Sequence, residues 1–316
     1  MALAAAVLLL ALLVGLFYSW LRTAGLQARL DARLDQAMQA RLTARSGLSM
    51  ALFLLFRDRN DSDDLTEDWY RYTEMTAFTQ VPVGGGSFSV RIIDEAGRLN
   101  VNTAREESLV YLFRRLGLGI TATGTLLGED LTVDGPLCLA QRILDYVDED
   151  DLPRPFGAEF ESYGGRRPRN GRLLDLRELL DVPGITPGLF EGEGGRPGLQ
   201  DLLTVHGDGL VNLNTARREI VEAVPGPPGY DEERRRAFFD TLLARVPIRK
   251  VGELRDFLVT YDPRLPRKYG EQFVVFSTCF RVEAVGRVGE VERRLSALVR
   301  RDRYGHCRVV RFAEVP

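Results

Sequence analysis

The chain opens with an uncharged apolar segment that continues directly into a segment with helical spacing. Residues 1–21 contain no Asp, Glu, Lys or Arg, and residues 22–56 place Leu26, Leu30 and Leu34 among Arg, Asp and Gln. A helix as long as the first segment spans roughly 30 Å, the thickness of a bilayer's hydrocarbon core. The pattern predicts one long helix, half in a membrane and half amphipathic. A single-pass anchor followed by a stalk helix explains the same pattern equally well.

Alternating and β-branched residues predict four strands, one early in the chain and three near its C-terminus. The strands are expected at residues 88–93, 272–286, 291–300 and 307–315, with a turn at residues 94–97. The sequence between the first two strands reads as helix and loop. We therefore predict an α+β fold, in which a pilin-like long N-terminal helix packs on an antiparallel β-sheet. A large, mainly α-helical domain is inserted between the strands.

The predicted fold divides the chain into a helix, two parts of one α+β domain, and an insertion. The expected bounds are 1–56 for the helix, 57–102 and 271–316 for the α+β domain, and 103–270 for the inserted α-domain. The connection that follows the helix, residues 57–68, is rich in acidic and polar side chains. We expect it to be exposed to solvent.

One phrase occurs twice in the chain. Residues 97–104 read Gly-Arg-Leu-Asn-Val-Asn-Thr-Ala, and residues 209–216 read Gly-Leu-Val-Asn-Leu-Asn-Thr-Ala, each before a helical stretch. Asparagines in such a segment can bond their own backbone and shape a tight entry, and Thr103 or Thr215 is placed to cap the helix that follows. We predict a structural role for these asparagines, in preference to a ligand-binding role.

Composition excludes several function classes. The 316 residues carry a net charge of −3, from 42 basic and 45 acidic side chains, which gives no global attraction to nucleic acid or anionic lipid. The 3 cysteines make no metal-binding pattern, although a bridge between Cys279 and Cys307 is conceivable outside the cytoplasm. The 2 histidines suggest no catalytic triad by their spacing. We therefore expect no enzymatic activity.

The sharpest candidate site is an acidic stretch near residue 150. Five carboxylates fall within residues 145–151, and their repulsion is relieved by solvent or by a shared cation. Taking Asp148 as the first position of a calcium loop puts Asp150 at the third and Glu159 at the twelfth, although Pro153 stands where an EF-hand needs glycine. A solvated acidic helix end is the alternative. The candidate Ca²⁺ ligands are Asp148, Asp150, Asp151, Glu159 and Glu161.

A second motif supports a different function. Residues 179–185 contain a Pro-Gly pair between short helical stretches, as in a helix-hairpin-helix unit, and arginine-rich loops follow residue 164. Such units grip phosphates through backbone N–H groups, so the alternative function is a membrane-tethered nucleic-acid-binding protein. The neighbouring acidic stretches weigh against it. A membrane-anchored hydrolase has only the paired carboxylates in its favour.

The ordered set of these motifs resembles one family, the minor pseudopilin K of type II secretion systems. The resemblance runs from about residue 85 to 230, and its pieces lie at residues 90–104, 144–151 with 157–159, 179–185, 202–207 and 211–216. The resemblance implies a subunit at the tip of the pseudopilus, with minor pseudopilins I and J as partners and the major pseudopilin fibre behind them. It also implies calcium in the α-domain. Residues 160–163 depart from the family pattern, which places a second calcium site in doubt.

The resemblance also bears on the N-terminus. Pseudopilin precursors are cut before the apolar run by a prepilin peptidase, and the family resumes with Met-Ala-Leu, as at Met1. The start at Met1 has two explanations, and both stay open: a leader has been cut off, or the start codon is assigned too late. Most pilins carry glutamate at mature position 5, whereas this family lacks it, and Ala5 agrees. The helix, with Met1, Ala5, Leu26, Leu30 and Leu34, is the expected assembly element, held in the bacterial inner membrane with the folded domain in the periplasm.

Overall fold

The computed structural model describes residues 2–117, 135–164, 168–265 and 267–315. Its α-helices are α1 (Ala2–Arg57), α2 (Asp68–Phe78), α3 (Glu106–Arg115), α4 (Pro136–Val147), α5 (Pro187–Glu191), α6 (Leu199–Leu202), α7 (Arg218–Ala223), α8 (Glu232–Leu243) and α9 (Val251–Tyr261). Its strands are β1 (Val81–Val83), β2 (Gly86–Asp94), β3 (Leu99–Asn100), β4 (Leu203–Thr204), β5 (Val211–Asn212), β6 (Phe273–Val274), β7 (Cys279–Val288), β8 (Val291–Arg301) and β9 (Cys307–Val315). Four 3₁₀ helices are described, at Glu95–Gly97, Phe160–Tyr163, Leu176–Asp181 and Arg267–Gln272.

The main sheet has five antiparallel strands in the order β1-β2-β7-β8-β9. The C-terminal half of α1 packs across it, so the predicted fold class is confirmed. Small residues allow the close approach: Ala40 and Ala44 are fully buried, and a Cβ at Gly286 would overlap the Ala40 carbonyl oxygen and the Ala44 nitrogen. At this point the backbone of α1 therefore lies directly against the backbone of β7.

Replacing Gly286 should displace α1 from the sheet. In Gly286→Val the new side chain meets helix backbone, which cannot move aside as a flexible side chain can, and we expect a loss of about 3 kcal/mol in the free energy of unfolding. Gly85→Val is the matched control, because a Cβ there meets only Gln39, at 4.0 Å. Urea denaturation of both variants measures the difference. Equal stabilities would contradict the close approach.

Helix α2 covers the free edge of β2. The Thr76 hydroxyl donates to the Val90 carbonyl (2.7 Å) and accepts from the Val90 N–H (3.1 Å), while the Thr73 hydroxyl accepts from the Ile92 N–H (3.0 Å). Trp69, at the start of the same helix, packs edge-on against Phe280 with ring centroids 5.6 Å apart. A sheet edge that would otherwise expose unpaired backbone is thereby closed.

The helices between β2 and β7 surround a second, separate hydrophobic core. It contains buried residues from Leu99 to Val275, with Leu139 and Ile143 on α4 and Phe238 on α8 near its centre. Phe238 contacts four further aromatic rings, those of Tyr230, Phe239, Tyr261 and Tyr269, edge-on. This core belongs to the α-domain, whose exact bounds at 103 and 270 stay a prediction.

The repeated phrase builds the same device twice. Each copy forms a short strand in a parallel pair, β3 with β4 and β5 with β6. In the first copy, Asn102 donates to the Leu173 carbonyl (3.1 Å) and accepts from the Leu173 N–H (2.7 Å). In the second, Asn214 makes the same two bonds with Ile248, at 2.9 and 2.8 Å. These contacts fit the predicted structural role, because each asparagine side chain hydrogen-bonds both the N–H and the carbonyl of one residue in a distant backbone segment.

The predicted caps are wrong. Helices α3 and α7 begin after Arg105 and Arg217, and in the described chain neither helix has a side-chain cap. Thr103 donates to the Asn100 carbonyl and Thr215 to the Asp94 carboxylate (2.6 Å). Each helix starts three residues beyond its threonine, and an arginine occupies the capping position in between.

The threonines instead join the two copies of the phrase. A Cβ at Gly209 would overlap the Thr103 side chain, and a Cβ at Gly97 would come within 3.0 Å of the Thr215 hydroxyl. The first glycine of each copy thus makes room for the threonine of the other. Two short segments distant in sequence are locked together reciprocally.

One expectation about the C-terminal strands is also wrong, and the Cys279–Cys307 bridge that the sequence left open does not form. The strand predicted at 272–286 is broken into β6 and β7, because the chain first pairs with β5 in a separate small sheet. Cys279 and Cys307 lie on β7 and β9, with β8 between them. Two strand spacings amount to about 9–10 Å, beyond the reach of a disulfide. Both cysteines are free in the described structure.

The connection at residues 57–68 is exposed only in part, whereas the sequence predicts an exposed segment. Ser62, Asp63 and Asp64 are buried. Asp63 pairs with Arg301 of β8, and Asp64 pairs with Arg249 of the α-domain at 2.6 Å. Acidic residues that look like a solvated linker therefore join the helix, the sheet and the α-domain.

Candidate functional site

The acidic loop leaves the end of α4 and is anchored there by one buried carboxylate. Asp145, on the last turn of the helix, is fully buried. Its Oδ2 accepts from the N–H groups of Arg154 (3.1 Å) and Ala158 (2.9 Å), and its Oδ1 accepts from the Arg154 guanidinium. These bonds fix the return of the loop onto the helix.

Two further contacts set the loop's shape. Gln141 Oε1 accepts from the Phe156 N–H (2.9 Å), and Gln141 Nε2 donates to Glu106 of α3 (3.0 Å). A Cβ at Gly157 would overlap the Asp145 carboxylate, so glycine is required for this close return. The loop is held from helices α3 and α4, and its acidic side chains are positioned by them.

Arg154 stands between two of the acidic side chains. Its guanidinium bonds Asp148 Oδ2 at 2.6 Å as well as Asp145. The pKa of Asp148 is raised above its ordinary value, because burial outweighs the lowering effect of the Arg154 contact. The other oxygen of Asp148, Oδ1, is buried without a hydrogen-bond partner among the residues that the structure describes. One guanidinium therefore satisfies only part of this acidic site.

Glu159 is the least satisfied group of the loop. It is 8% exposed, and within the described chain neither carboxylate oxygen has a hydrogen-bond partner. Burial raises its pKa to about 7, and the charges of Asp145, Asp148, Asp151 and Asp150 add to the increase. A buried carboxylate surrounded by four others costs free energy unless it is protonated or bound by a cation.

Asn170 closes the site from a second loop. Its Nδ2 donates to the Asp150 carbonyl (2.9 Å) and to Asp151 Oδ1 (2.7 Å), and the residue has a positive φ of 44°. Its own Oδ1 is buried, again without a partner in the described ranges. Asp150 Oδ1 accepts from the Leu152 N–H (2.9 Å), which makes a local turn. Asp150 and Asp151 are exposed.

The predicted ligand set is brought together only in part. Asp148, Asp150, Asp151 and Glu159 share one loop, whereas the side chain of Glu161 lies outside the described residues. A 3₁₀ helix follows Glu159 where an EF-hand would have an α-helix. Among the described residues, one set of three carboxylates has ligand atoms all within 4.8 Å of one another, and it lies elsewhere, at Asp58, Asp63 and Glu67. There Arg301 already supplies the positive charge.

The chemistry of the loop nevertheless fits a hard cation. At the acidic loop, Asp148, Glu159 and Asn170 carry unpartnered buried oxygens, all of them acceptors. Ca²⁺ takes six to eight such oxygens from carboxylates, amides and backbone carbonyls. Sequence reasoning found Asp148 and Glu159 by their spacing. It missed Asn170, whose only local signal is the Asn-Gly pair typical of a turn, and it missed Arg154 as a competing cation.

The second functional element is the exposed face of α1. Leu26, Leu30 and Leu34 are 53%, 60% and 67% exposed, and Met38 and Leu42 continue the same row. The opposite side of the helix, from Ala40 onward, is buried against the sheet. An apolar row of this length on a helix is covered by lipid or by other protein. Met1 and the side chain of Ala5 lie outside the described residues.

The N-terminal part of α1 has the properties of a membrane span. It contains a window with a mean hydropathy of 2.5, no part of which is buried within the chain. Length and composition are sufficient to cross a bilayer once. The helix is thus a candidate single-pass anchor.

The helix-hairpin-helix segment does not present a phosphate site. The 3₁₀ helix Leu176–Asp181 is capped by Asp175, and the turn continues through Gly184, with a φ of 92°, into α5. The Ile185 N–H, which follows the Pro-Gly pair, donates to the Val182 carbonyl at 3.1 Å. Arg169 is paired with Glu178. Arg166 lies outside the described residues. The donors described here are therefore occupied within the chain.

Sequence comparison assigns the acidic loop and the hairpin segment to one domain. The family model of type II secretion system protein K matches residues 97–192. The resemblance predicted from the ordered motifs is confirmed over these residues. A comparison with curated protein sequences finds no match.

Structural comparison extends the similarity to the rest of the chain. The fold is similar to a chain in the crystal structure of the GspK-GspI-GspJ complex from the enterotoxigenic Escherichia coli type 2 secretion system. The TM-score is 0.64 at 20% sequence identity, and the match covers 92% of this chain and 99% of that chain. At this identity the likeness shows a common fold. The comparisons do not favour a nucleic-acid-binding function.

Proposed function

We propose that this chain, whose residues 97–192 carry a domain of the type II secretion system protein K family, is the minor pseudopilin at the tip of a secretion pseudopilus. The observation that carries the proposal is the combination of that domain with the apolar row on α1, which the rest of the chain leaves uncovered. The role is to assemble with other pseudopilins, to begin and cap the fibre, and to support export across the outer membrane. It is a structural role without catalysis.

The placement of the α-domain supports the tip position. Gly286 meets α1 at Ala40 and Ala44, whereas the far end of the helix lies near β8, where Asp58 bonds Arg301 at 2.8 Å. The chain leaves the sheet for the inserted domain at Asp94, the last residue of β2, and Asp94 belongs to the same end, because it shares Ser277 with the buried acidic connection. The inserted domain is thus attached opposite to the apolar end of α1. Its bulk at that end opposes the stacking of another subunit above it.

Minor pseudopilins I and J are the proposed partners. The similar crystal structure is that of a complex with GspI and GspJ, and the two faces of α1 have suitable chemistry. Ala40 and Ala44 face the chain's own sheet, whereas Leu26, Leu30 and Leu34 are exposed. We infer that Leu26, Leu30 and Leu34 pack on the helices of these partners and that the major pseudopilin follows below them. Processing by a prepilin peptidase and residence in the inner membrane, with the folded domain in the periplasm, belong to the same proposal.

Calcium is the proposed ligand of the acidic loop. Asp148, Glu159 and Asn170 offer the unpartnered buried oxygens, and Asp150 and Asp151 lie beside them. Bound calcium would supply positive charge that lets Glu159 ionise at neutral pH. Arg154 would then keep its bonds to Asp145 and release Asp148. The loop's role is to stabilise the α-domain.

Co-purification tests the assembly role. The full chain, in detergent, should recover minor pseudopilins I and J encoded by the same genome. Leu30→Glu should reduce the recovered amount about tenfold or more, because a carboxylate would be buried in the helix contact. Arg29→Glu introduces the same residue one position away at an exposed polar site and should leave recovery unchanged.

The outcomes separate the alternatives. Failure to recover either partner with the unaltered chain would refute the proposed function. An equal loss of partner recovery in Leu30→Glu and Arg29→Glu would refute the proposal that the leucine row packs on the partners' helices. Salt-dependent binding of duplex DNA by the full chain would instead support the nucleic-acid alternative.

A further inference from the structure

A cleft separates the outer face of the five-stranded sheet from the α-domain. Its volume is about 580 Å³. The strand register places Arg91, Arg281 and Arg311 on the sheet face that points away from α1. The facing wall comes from the α-domain, at residues 175–177 and 200–206. A second cavity of about 590 Å³ adjoins it and shares Arg91 and Arg98 among its lining residues.

The lining of the cleft carries more positive than negative charge. The arginines are Arg91, Arg98, Arg177, Arg281, Arg294 and Arg311, whereas the carboxylates are Asp175, Asp201, Glu283 and Glu314. Several of these acids are already engaged: Asp175 lies 3.6 Å from Arg311, and Glu314 pairs with Arg41 of α1. Arg281, Arg294 and Arg311 are paired as well, with Glu95, Glu292 and Asp175. Arg91, Arg98 and Arg177 are left without a carboxylate at hydrogen-bond distance among the described residues, in a partly enclosed space where charges are weakly screened.

Arg98 is the group that makes this cleft unusual. It is 8% exposed, and its Nη1 is buried without a hydrogen-bond partner among the described residues. Burial lowers its pKa, Glu95 opposes that effect, and the nearby charges of Arg281 and Arg91 lower the pKa further. A buried guanidinium beside two others is an unfavourable arrangement that an anion relieves.

Two carboxylates raise the pKa of Arg98, Asp201 weakly and Glu95 more strongly, and Glu95 is committed to other donors. Glu95 is fully buried, and it accepts from Arg281 Nε at 2.7 Å and from the Thr204 hydroxyl. Its distance to Arg98 Nη1 is 4.0 Å, too long for a hydrogen bond. Arg98 therefore lines the cleft with a free donor that the chain itself does not satisfy.

We propose that this cleft binds an oxyanion, a carboxylate or a phosphate group, with Arg98 Nη1 as the buried donor and Arg91 as the exposed one. A guanidinium fork matches both groups, and its fixed geometry favours an oxyanion over chloride. Arg98 directly precedes β3, which pairs with β4 of the α-domain, and Arg91 lies on the main sheet. The bound anion therefore bridges the two domains and stabilises their docking. This site is separate from the calcium loop and from the leucine row. Absence of anion binding would therefore not count against the proposed function.

Thermal unfolding of the full chain in detergent tests the site. The probes are sodium phosphate, sodium citrate and a tetraglutamate peptide, each compared with sodium chloride at equal ionic strength. At least one probe should raise the melting temperature by several degrees above chloride, because the ligand binds only the docked, folded form. Stabilisation by phosphate or citrate identifies a free small anion as the source. Stabilisation by the peptide alone identifies an acidic segment of a polypeptide.

Two variants make the test specific. Arg91→Gln alters an exposed side chain, so folding is retained, and the affinity for the active probe should fall about tenfold. Arg303→Gln removes an exposed arginine outside the cleft and should leave that affinity unchanged. Absence of any stabilisation beyond chloride, or equal losses in both variants, would overturn the proposal.

Discussion

Removal of calcium should lower the melting temperature of the chain by about 5 °C or more. A ligand that binds only the folded state at a concentration 100-fold above its dissociation constant stabilises that state by about 2.7 kcal/mol. For a domain of 150–250 residues, each kcal/mol shifts the melting temperature by about 2–4 °C. The measurement is differential scanning calorimetry of the full chain with calcium and with a chelator.

Variants of the loop should remove that difference. Glu159→Gln replaces the unsatisfied carboxylate by a neutral group of the same shape, and Asp148→Ala removes the partly satisfied one. Both should melt at the same temperature with calcium and with chelator. Glu290→Gln removes an exposed acid from the β7–β8 turn and should keep the full response. A calcium response that persists in both loop variants would exclude this loop as the site.

The same site predicts a pH dependence with a defined sign. The pKa of Glu159 in the calcium-free chain is raised to about 7, so protons compete with calcium below that pH. Calcium affinity should therefore be about tenfold higher at pH 8 than at pH 6. Without calcium, a raised pKa means that the folded state binds the proton more tightly than the unfolded state does. That stabilisation is present at low pH and is lost as the pH rises through 7.

The second large effect concerns Arg301, which should not tolerate neutral replacement. Its side chain is fully buried; Nη1 bonds Asp58 at 2.8 Å, and Nη2 bonds Asp63. The guanidinium also lies over the rings of Phe276 and Phe280, at 4.6 and 4.8 Å. Arg301→Met should cost about 3–5 kcal/mol of unfolding free energy, because Asp63 is then buried without its cation.

A double variant separates the lost charge from lost packing. Adding Asp63→Asn to Arg301→Met removes the uncompensated carboxylate and should restore part of the stability measured in urea. Arg303→Met, at an exposed position on the same hairpin, should change stability by less than about 0.5 kcal/mol. If the double variant is less stable than Arg301→Met alone, burial of an unpaired charge is not the cause.

The elements that the sequence predicts well are those that local pattern determines. The long helix follows from an uninterrupted apolar run joined to helical spacing, and α1 ends one residue beyond the expected Phe56. The hairpin of β7 and β8 follows from alternation around a Gly-containing turn. Both features need only near neighbours in sequence, which a pattern displays directly.

The features that the sequence misses depend on contacts between distant residues. The acidic residues 57–68 resemble a linker until Arg301 and Arg249 are brought beside them across some 200 positions. The threonine caps fail because each hydroxyl has another partner: Thr103 donates to the nearby Asn100 carbonyl, and Thr215 donates to the distant Asp94 carboxylate. In the acidic loop, spacing indicated Asp148 and Glu159. The competing Arg154 and the oxygen from Asn170 became visible only when two loops met.

The length of α1 fixes a distance between the folded domain and the membrane. The helix first becomes substantially covered near residue 36, so about 34 residues, or about 50 Å, project from the sheet. A bilayer's hydrocarbon core accounts for about 30 Å of that length. About 20 Å of helix therefore remains between lipid and sheet, and it is the stretch that carries Leu26, Leu30 and Leu34. In the proposed membrane-anchored subunit, neither lipid nor the chain's own domain covers these side chains, so covering this apolar row would fall to neighbouring subunits.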